Sequence, residues 1–384
     1  MNKKIIFISH GDSNDASSWS NIPFLFSKTL EEKGYDLVRV NIEPNAFLNE
    51  FWKKYIYRYS IIIFPNHQYS FVRSITHHII SYFKIGKAIL KNKDAFYCIF
   101  LTYDYHNIFN KIPSLLLSDW TYEMVISQRL KRKPYFFEKW FINYQKNAIV
   151  KSELVISLFK DCAEYITLKH HKNVLHLGNN VINDLNFNIL SEEHILANKK
   201  KSNSILFIGT PKYLTGAKKL LSAFKILQKK YPELQLNMIG IKEEELFEKD
   251  ELVENVNCFG YLKKDVQEDN KTYYNLLTNA KVLVNPSEIW AAYSSSIEAM
   301  KYFTPVIIKP YEAFVKDFGA ENDFGYYLEN TEIETIVNAI EKVMFSEHYL
   351  DLCRNANNRV KDFTWENYVN MIINKMNKLK KSSV

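Results

Sequence analysis

The residues best equipped for chemistry lie between positions 282 and 308 of this 384-residue chain. Val282-Leu283-Val284-Asn285-Pro286-Ser287 is an apolar, β-branched run closed by Asn-Pro, the pattern of a short buried strand meeting a loop. Ser294, Ser295 and Ser296 follow, then Glu298, then Thr304-Pro305-Val306-Ile307-Ile308 as another strand. Three serines at a helix start offer hydroxyls and backbone N–H groups where the macrodipole favours an anion. Glu298, expected in the first turn, adds a carboxylate able to accept hydrogen bonds from sugar hydroxyls. A diphosphate on the helix tip and a ribose or sugar on the acid would make a sugar nucleotide the matching ligand.

Four further strand ends carry polar groups. Ile208-Gly209-Thr210 follows a strand, and Gly216-Ala217-Lys218-Lys219 reads as a helix opening. Lysines in a first turn oppose the helix dipole by a few tenths to about 1 kcal/mol unless an anion sits there. Lys212, Lys218 and Lys219 are therefore candidates for a diphosphate, against the plainer reading of a solvated lysine face. His10-Gly11-Asp12 comes directly after the first strand, where doubly wound sheets bind ligands. Gly11 permits close backbone approach, but no full G-x-G-x-x-G follows, which leaves little support for a dinucleotide. Thr102-Tyr103-Asp104-Tyr105-His106 and Ser118-Asp119-Trp120 end two other strands. Asp119 and, in reserve, His106 are the catalytic candidates there, although Asp and Ser are also preferred helix caps.

The elements that position these groups alternate between apolar strands and helical patterns. In the first half the strands are 4–9, 37–40, 61–64, 95–101, 114–117, 154–157 and 174–177, with helices at 21–34, 137–149 and 161–168 and a long helical region up to about 90. A polar stretch with Lys199-Lys200-Lys201 reads as a connection. A second series follows: strands at 205–208, 234–239, 256–259, 281–284 and 305–308, with helices at 217–230, 271–278 and 331–344. Strands joined by crossover helices predict parallel sheets with both faces covered. The expected architecture is α/β, with two Rossmann-like doubly wound domains and a cleft between them. The boundaries read 1–180, a linker at 181–202, 203–362, and a last helix at 363–384.

Composition narrows the function classes. At this length two domains are expected, and 47% hydrophobic with 24% charged residues is globular. No apolar run approaches the roughly 20 residues of a membrane span, and Ile5-Ile6-Phe7-Ile8 is too short for a signal-peptide core. The cytoplasm is the expected compartment. Cys98, Cys162, Cys258 and Cys353 lack metal-ligand spacing and are expected to be reduced and largely buried. The adjacent pairs His77-His78 and His170-His171 point their rings apart, so no zinc site is expected. Net charge of +7 is modest and no nucleic-acid motif is present. Residues 51–59 and 129–141 mix cations with aromatics, which suits an anionic membrane surface or a core helix with snorkelling lysines.

The 282–308 stretch resembles the signature region of the retaining, glycogen-synthase-like GT-B glycosyltransferases (family 4, or group 1). Glu298 falls on that family's second acid and Thr304-Pro305-Val306-Ile307 on its strand. The family's first acid falls on Trp290 and its Gly-Phe-Gly on Ala291-Ala292-Tyr293. The family's diphosphate-gripping Arg and Lys fall on Thr210 or Leu214 and on Thr215, leaving Lys212, Lys218 or Lys219 to substitute. Glu288 lies two residues before the first-acid position and would return a carboxylate there if the loop is remodelled; otherwise Trp290 offers a surface for sugar stacking. Ser152 to Ser157, Val174 to Val181, Phe259-Gly260-Tyr261-Leu262 and Phe363-Thr364-Trp365-Glu366 carry the resemblance further along the chain. It implies a GT-B fold whose last helix returns to the N-terminal domain.

The resemblance also implies a hexosyl-type transfer with retention from a UDP- or GDP-linked donor to a saccharide or lipid-linked acceptor, with no metal and no cofactor. Peripheral contact with an anionic membrane and a role in envelope polysaccharide synthesis are its expected setting. A catalytically weakened sugar-nucleotide-binding protein and a membrane-associated scaffold are the alternatives, with a GT-B epimerase less favoured.

Overall fold

The computed structural model describes residues 3–177, 181–186, 190–247, 253–288 and 293–382. The chain forms two compact units, Met1–Val181 with Trp365–Val384, and Ile182–Thr364.

The first unit is built on a five-stranded parallel sheet: β1 (Lys4–Ser9), β2 (Asp36–Asn41), β3 (Tyr97–Phe100), β4 (Ser114–Ser118) and β5 (Leu154–Ser157), in the order β2-β1-β3-β4-β5. Ile8 of β1 stands opposite both Val40 and Phe100. β3, β4 and β5 are buried along their whole length, so they read as unbroken apolar runs rather than alternating ones. The helices are α1 (Ile22–Glu32), α2 (Ala46–Trp52), α3 (Arg58–Ile63), α4 (Ile75–Lys91), α5 (Tyr122–Met124), α6 (Phe136–Lys151) and α7 (Lys160–His170). A π-helical turn at Lys53–Tyr57 joins α2 to α3.

The second unit contains α8 (Glu192–Lys201), β6 (Ser204–Ile208), α9 (Leu214–Lys230), β7 (Gln235–Ile239), α10 (Glu243–Leu246), β8 (Val256–Gly260), α11 (Gln267–Asn279), β9 (Val282–Asn285), α12 (Ser294–Lys301), β10 (Val306–Ile308), α13 (Glu312–Phe318), β11 (Gly325–Tyr327), α14 (Ile333–Met344) and α15 (Tyr349–Val360). Its parallel sheet runs β11-β10-β9-β6-β7-β8. The last helix, α16 (Trp365–Ser382), belongs to the first unit and packs on α1. There the Trp365 ring stacks on Phe26 at 5.4 Å, and Lys33 Nζ donates to Glu366 Oε1 at 2.6 Å.

Three sequence expectations change. Residues 61–64 are not a strand: Ile61–Ile63 end α3, and Pro65 follows the helix end. Their β-branched run favours a strand by propensity, but the preceding helix carries on through them, and Ile62 and Ile63 remain largely exposed. Residues 174–177 form only a single bridge, Leu175 to Ile156. The segment read as a linker holds α8, whose Lys199 is fully buried. Its ammonium donates to Leu277 O, Ala280 O and Thr304 Oγ1, so one member of the apparently solvated lysine run anchors the helix.

In both sheets the strand order reverses at one place. The chain steps from β1 outward to β2, then returns to place β3 on the other side of β1; likewise β6 leads to β7 and β8 before β9 returns beside β6. Ligands of open α/β sheets bind outside the carboxyl ends of the strands at such a switch point. The loops after β1 and β3, and after β6 and β9, are therefore where a site is expected.

Candidate functional site

At the β6/β9 switch point the structure gathers one set of polar groups. Pro211–Tyr213 forms a 3-10 turn that feeds directly into α9, so the helix begins at Leu214. Gly216 is then its third residue, and Lys218 and Lys219 lie in the second turn, not the first as the sequence implied. The Tyr213 side chain makes no capping hydrogen bond to the first-turn N–H groups. A Cβ on Gly216 would lie 2.3 Å from Ser287 Oγ and 3.1 Å from Ser287 N, so only glycine lets α9 close on the end of β9. Ser287 Oγ is itself buried without a hydrogen-bond partner among the described residues.

Glu288 and Lys219 meet here. Lys219 Nζ lies 3.6 Å from Glu288 Oε1 and donates to Thr331 Oγ1, which donates to Glu288. The hydrogen bond from Thr331, then the charge of Lys219, hold the Glu288 carboxyl below its usual range. Lys218 faces solvent, and Lys212 is exposed, its ammonium 5.0 Å from the Tyr213 ring. Gly209 is half-buried and Thr210 exposed. Trp290, with Ala291 and Ala292, lies outside the described residues, as do Gly178, Asn179 and Asn180.

α12 starts after Tyr293, which sits in the left-handed region at φ 36° and makes no capping hydrogen bond. Ser294, Ser295 and Ser296 form the first turn, and only Ser296 is buried. Glu298 is the fifth helical residue, so its carboxylate belongs to the second turn and points inward. Its Oε1 accepts from Lys264 Nζ at 2.5 Å and Tyr274 OH at 3.4 Å, and its Oε2 from Tyr273 OH at 2.8 Å. The Lys264 ammonium also lies 4.4 Å from the Tyr273 ring centroid. Glu298 is thus the centre of a buried, charge-assisted network.

The first unit's switch point holds a second set. β1 ends at Ser9, and His10 and Gly11 follow, with Gly11 at φ 90° and its N–H donated to Asn41 Oδ1. Asp12 is exposed and accepts from Asn14, closing its own turn. Beyond β3, Asp104 Oδ2 lies 3.8 Å from His10 Nε2, and Asp104 Oδ1 accepts from Gln145 Nε2 of α6 at 2.6 Å. Burial alone would push the Asp104 carboxyl up; His10 beside it, with Gln145 and Arg73, outweighs that and holds it below the usual carboxylate range. The His77 ring stacks on His10 at 6.1 Å, and His78 stacks on Tyr105 at 4.7 Å. Burial pulls His77 and His78 down to about 4. Their place at the positive end of α4 acts in the same direction. Both ring nitrogens of His10 and of His78, Nδ1 of His77 and of His106, and the Tyr105 hydroxyl are buried without a hydrogen-bond partner among the described residues.

Of the two catalytic candidates, Asp119 follows β4, and its Oδ1 accepts from Trp120 N at 2.7 Å and Ser118 Oγ at 3.3 Å. Burial raises its carboxyl above the usual range. His106 is buried, and burial lowers its imidazole. Asp104, His77 and Gln145 were missed. Asp104 lies inside the same 102–106 strand-end run as the candidate His106. Opposed ring directions in the His77-His78 pair argue against a shared metal, but one ring of such a pair can still face a site. Gln145, Thr331 and Lys264 carry no local signal, because only tertiary packing brings them in. Among the described residues no group of three His, Cys, Asp or Glu side chains is arranged to hold a metal ion.

Residues 190–363 match the family model described as Glycosyl transferases group 1. An uncharacterized glycosyltransferase of Haemophilus influenzae is 25% identical over 233 residues, 58% of this chain and 64% of that protein. The chain thus matches less than two thirds of that relative's length. A sucrose-phosphate synthase from Thermosynechococcus elongatus is similar over 100% of both chains, with 14% identity and a TM-score of 0.65. The Anabaena protein HepE, solved with UDP and glucose, is similar over 97% of this chain and 99% of its own, with 11% identity and a TM-score of 0.55. The structural likenesses establish the fold as GT-B, two Rossmann-like domains, and the stretch that matches the family model lies within the second unit.

Proposed function

We propose that the chain is a retaining glycosyltransferase that moves a hexosyl group from a UDP- or GDP-linked donor to a saccharide or lipid-linked acceptor. The observation that carries this reading is the composition of the β6/β9 switch point, which lies inside the matched domain. α9 opens without a capping hydrogen bond from Tyr213, beside a glycine contact and a lysine–carboxylate pair, and α12 is the helix that follows β9. Backbone N–H groups aimed at one anion stabilise a leaving diphosphate without reorganising during the reaction. Lys219 supplies the cation, and Ser287 and Glu288 face the sugar. A carboxylate offers about four acceptor positions, and Glu298 uses three, so Oε2 retains one for the donor ribose.

The acceptor is assigned to the His10–Asp104 set, where unpartnered ring nitrogens and an ionised carboxylate would bind hydroxyl groups. His106 and Asp119 belong to the same strand-end region and enter the proposal as its flanking groups. Retention follows if the acceptor hydroxyl attacks on the face the phosphate leaves and gives its proton to a phosphate oxygen, a route needing no carboxylate nucleophile. The reading is metal-independent because the helix starts and Lys219 take the diphosphate charge. Its setting is the cytoplasmic face of a membrane, in envelope polysaccharide assembly.

One observation favours a second reading, a protein that binds the donor without turning it over: most of Glu298 is already engaged by Lys264 and the two tyrosines. Incubating the protein with UDP- and GDP-sugars and following nucleotide release separates the two. Turnover supports the transferase, binding without turnover supports the second reading, and epimerised donor would replace both.

A further inference from the structure

The first unit carries an apolar surface that its own fold leaves uncovered. Along the continuous helical stretch from α2 through α3, Phe47, Phe51, Tyr55 and Tyr59 recur every four residues, the spacing of one helix face. All four are exposed, and Ile62 and Ile63 continue the row at 75% and 71% exposure. On α4, Ile75, Ile79 and Phe83 repeat the same spacing, and Phe83 is 79% exposed. The short turn Phe71–Arg73 packs against both α2 and α4. Scattered exposed apolar residues need no explanation, but two helical rows of large side chains in adjoining elements do.

The charges on the same helices are one-sided. Lys53, Lys54, Arg58, Lys84, Lys87 and Lys91 stand against Glu50 alone, which pairs with Lys53. Among the described residues Lys54, Arg58, Lys87 and Lys91 enter no ion pair, and α4 contains no acid. Cations flanking protruding aromatic and aliphatic side chains are the chemistry of a helix lying in an anionic lipid interface. A second copy of this face would bring like charge against like charge.

We infer that the α2–α3 and α4 faces dock the protein on an anionic bilayer, with Ile62, Ile63 and Phe83 entering the lipid and Lys54, Arg58, Lys87 and Lys91 meeting the head groups. The inference rests on the lipid-linked form of the proposed acceptor for its purpose. It also relocates the contact expected from residues 129–141. There Arg132 donates twice to the fully buried Glu138, and Phe137 packs on Phe64, His67 and Tyr69, leaving Phe136 as the large exposed ring.

The test is co-sedimentation of the full chain with vesicles of phosphatidylcholine alone and of equimolar phosphatidylcholine and phosphatidylglycerol, at low and high salt. Binding is expected to be much stronger to the anionic vesicles at low salt, and high salt should reduce it toward the weak, salt-resistant level seen with neutral vesicles. Ile62→Ser with Phe83→Ser should remove the salt-resistant part, and Lys54→Glu with Arg58→Glu should weaken binding at least roughly tenfold. Circular dichroism and nucleotide release in the absence of vesicles check that both variants are folded. Binding to neither vesicle, equal binding to both at low salt, or full binding by both variants overturns the inference. So does a wild-type dimer in light scattering that Ile62→Ser with Phe83→Ser makes monomeric. Vesicle binding by a chain that releases no nucleotide would sink the transferase reading and leave the surface standing.

Discussion

His10 and Asp104 face each other across the point where the first unit's strand order reverses, with Nε2 3.8 Å from Oδ2. That separation is too long for a hydrogen bond and leaves both groups room to turn toward a ligand. Polar pairs at active sites are often long before ligand binds. If Asp104 holds an acceptor hydroxyl, Asp104→Asn removes one charge-assisted hydrogen bond worth about 1.5–3 kcal/mol. Acceptor-dependent kcat/KM should fall roughly 10- to 150-fold, with donor affinity unchanged. A steady-state series varying the acceptor at saturating donor checks this.

The two buried imidazoles make stability depend on pH in a stated direction. His77 and His78 are held at about 4 in the folded chain, below their ordinary 6.5, by burial. Between these values the unfolded chain binds the extra protons, so stability is fully present above pH 6.5 and falls as pH drops toward 4. The slope is at most about 1.4 kcal/mol per pH unit for each imidazole. Urea midpoints across that window should shift accordingly, and His77→Asn should flatten the dependence.

Lys219, not Lys218, carries the diphosphate in this account. Lys219→Met should weaken nucleotide-diphosphate binding about tenfold or more, while affinity for the nucleoside changes little. Lys218→Met, on the solvent face of the same helix, is the matched control and should leave both unchanged. Calorimetric titration of both variants with UDP, GDP, uridine and guanosine reads the difference.

Glu298 and Lys264 form a nearly dry ion pair, with side-chain exposures of 6% and 14%. Removing one partner leaves a buried charge alone, a loss of about 3–5 kcal/mol in comparable sites. Lys264→Met should therefore lower the urea midpoint, and adding Glu298→Gln should restore much of it. Glu298→Gln alone should also cost donor affinity at least about tenfold if Oε2 reaches the ribose. Unchanged nucleotide affinity in that folded variant would sink the ribose contact.

Much of the fold was legible because it is written in local runs: apolar strands too short to be anything else, closed by Gly, Asn or Pro. The failures have one cause. Ile61-Ile62-Ile63 has strand propensity but continues a helix, and Lys199 looks like solvated charge but caps carbonyls from another part of the chain. Both outcomes are decided by tertiary neighbours that no window contains. The site divides the same way. His10, Gly216, Lys219 and Glu288 stand at strand ends and helix starts, where position is readable. Helix register was not, so Lys219 and Glu298 each sit one turn deeper than their motifs implied, and Asp104 became recognisable only once β1 and β3 were neighbours.

The most direct test of the central claim is the anomeric configuration of the product, read by proton NMR after incubation with UDP- and GDP-sugars and saccharide or lipid-linked acceptors. The account predicts nucleotide release, dependent on acceptor, and a glycoside with the same anomeric configuration as the donor. A product of inverted configuration would contradict the mechanism, and a donor that is bound but never consumed would contradict the assignment as a transferase.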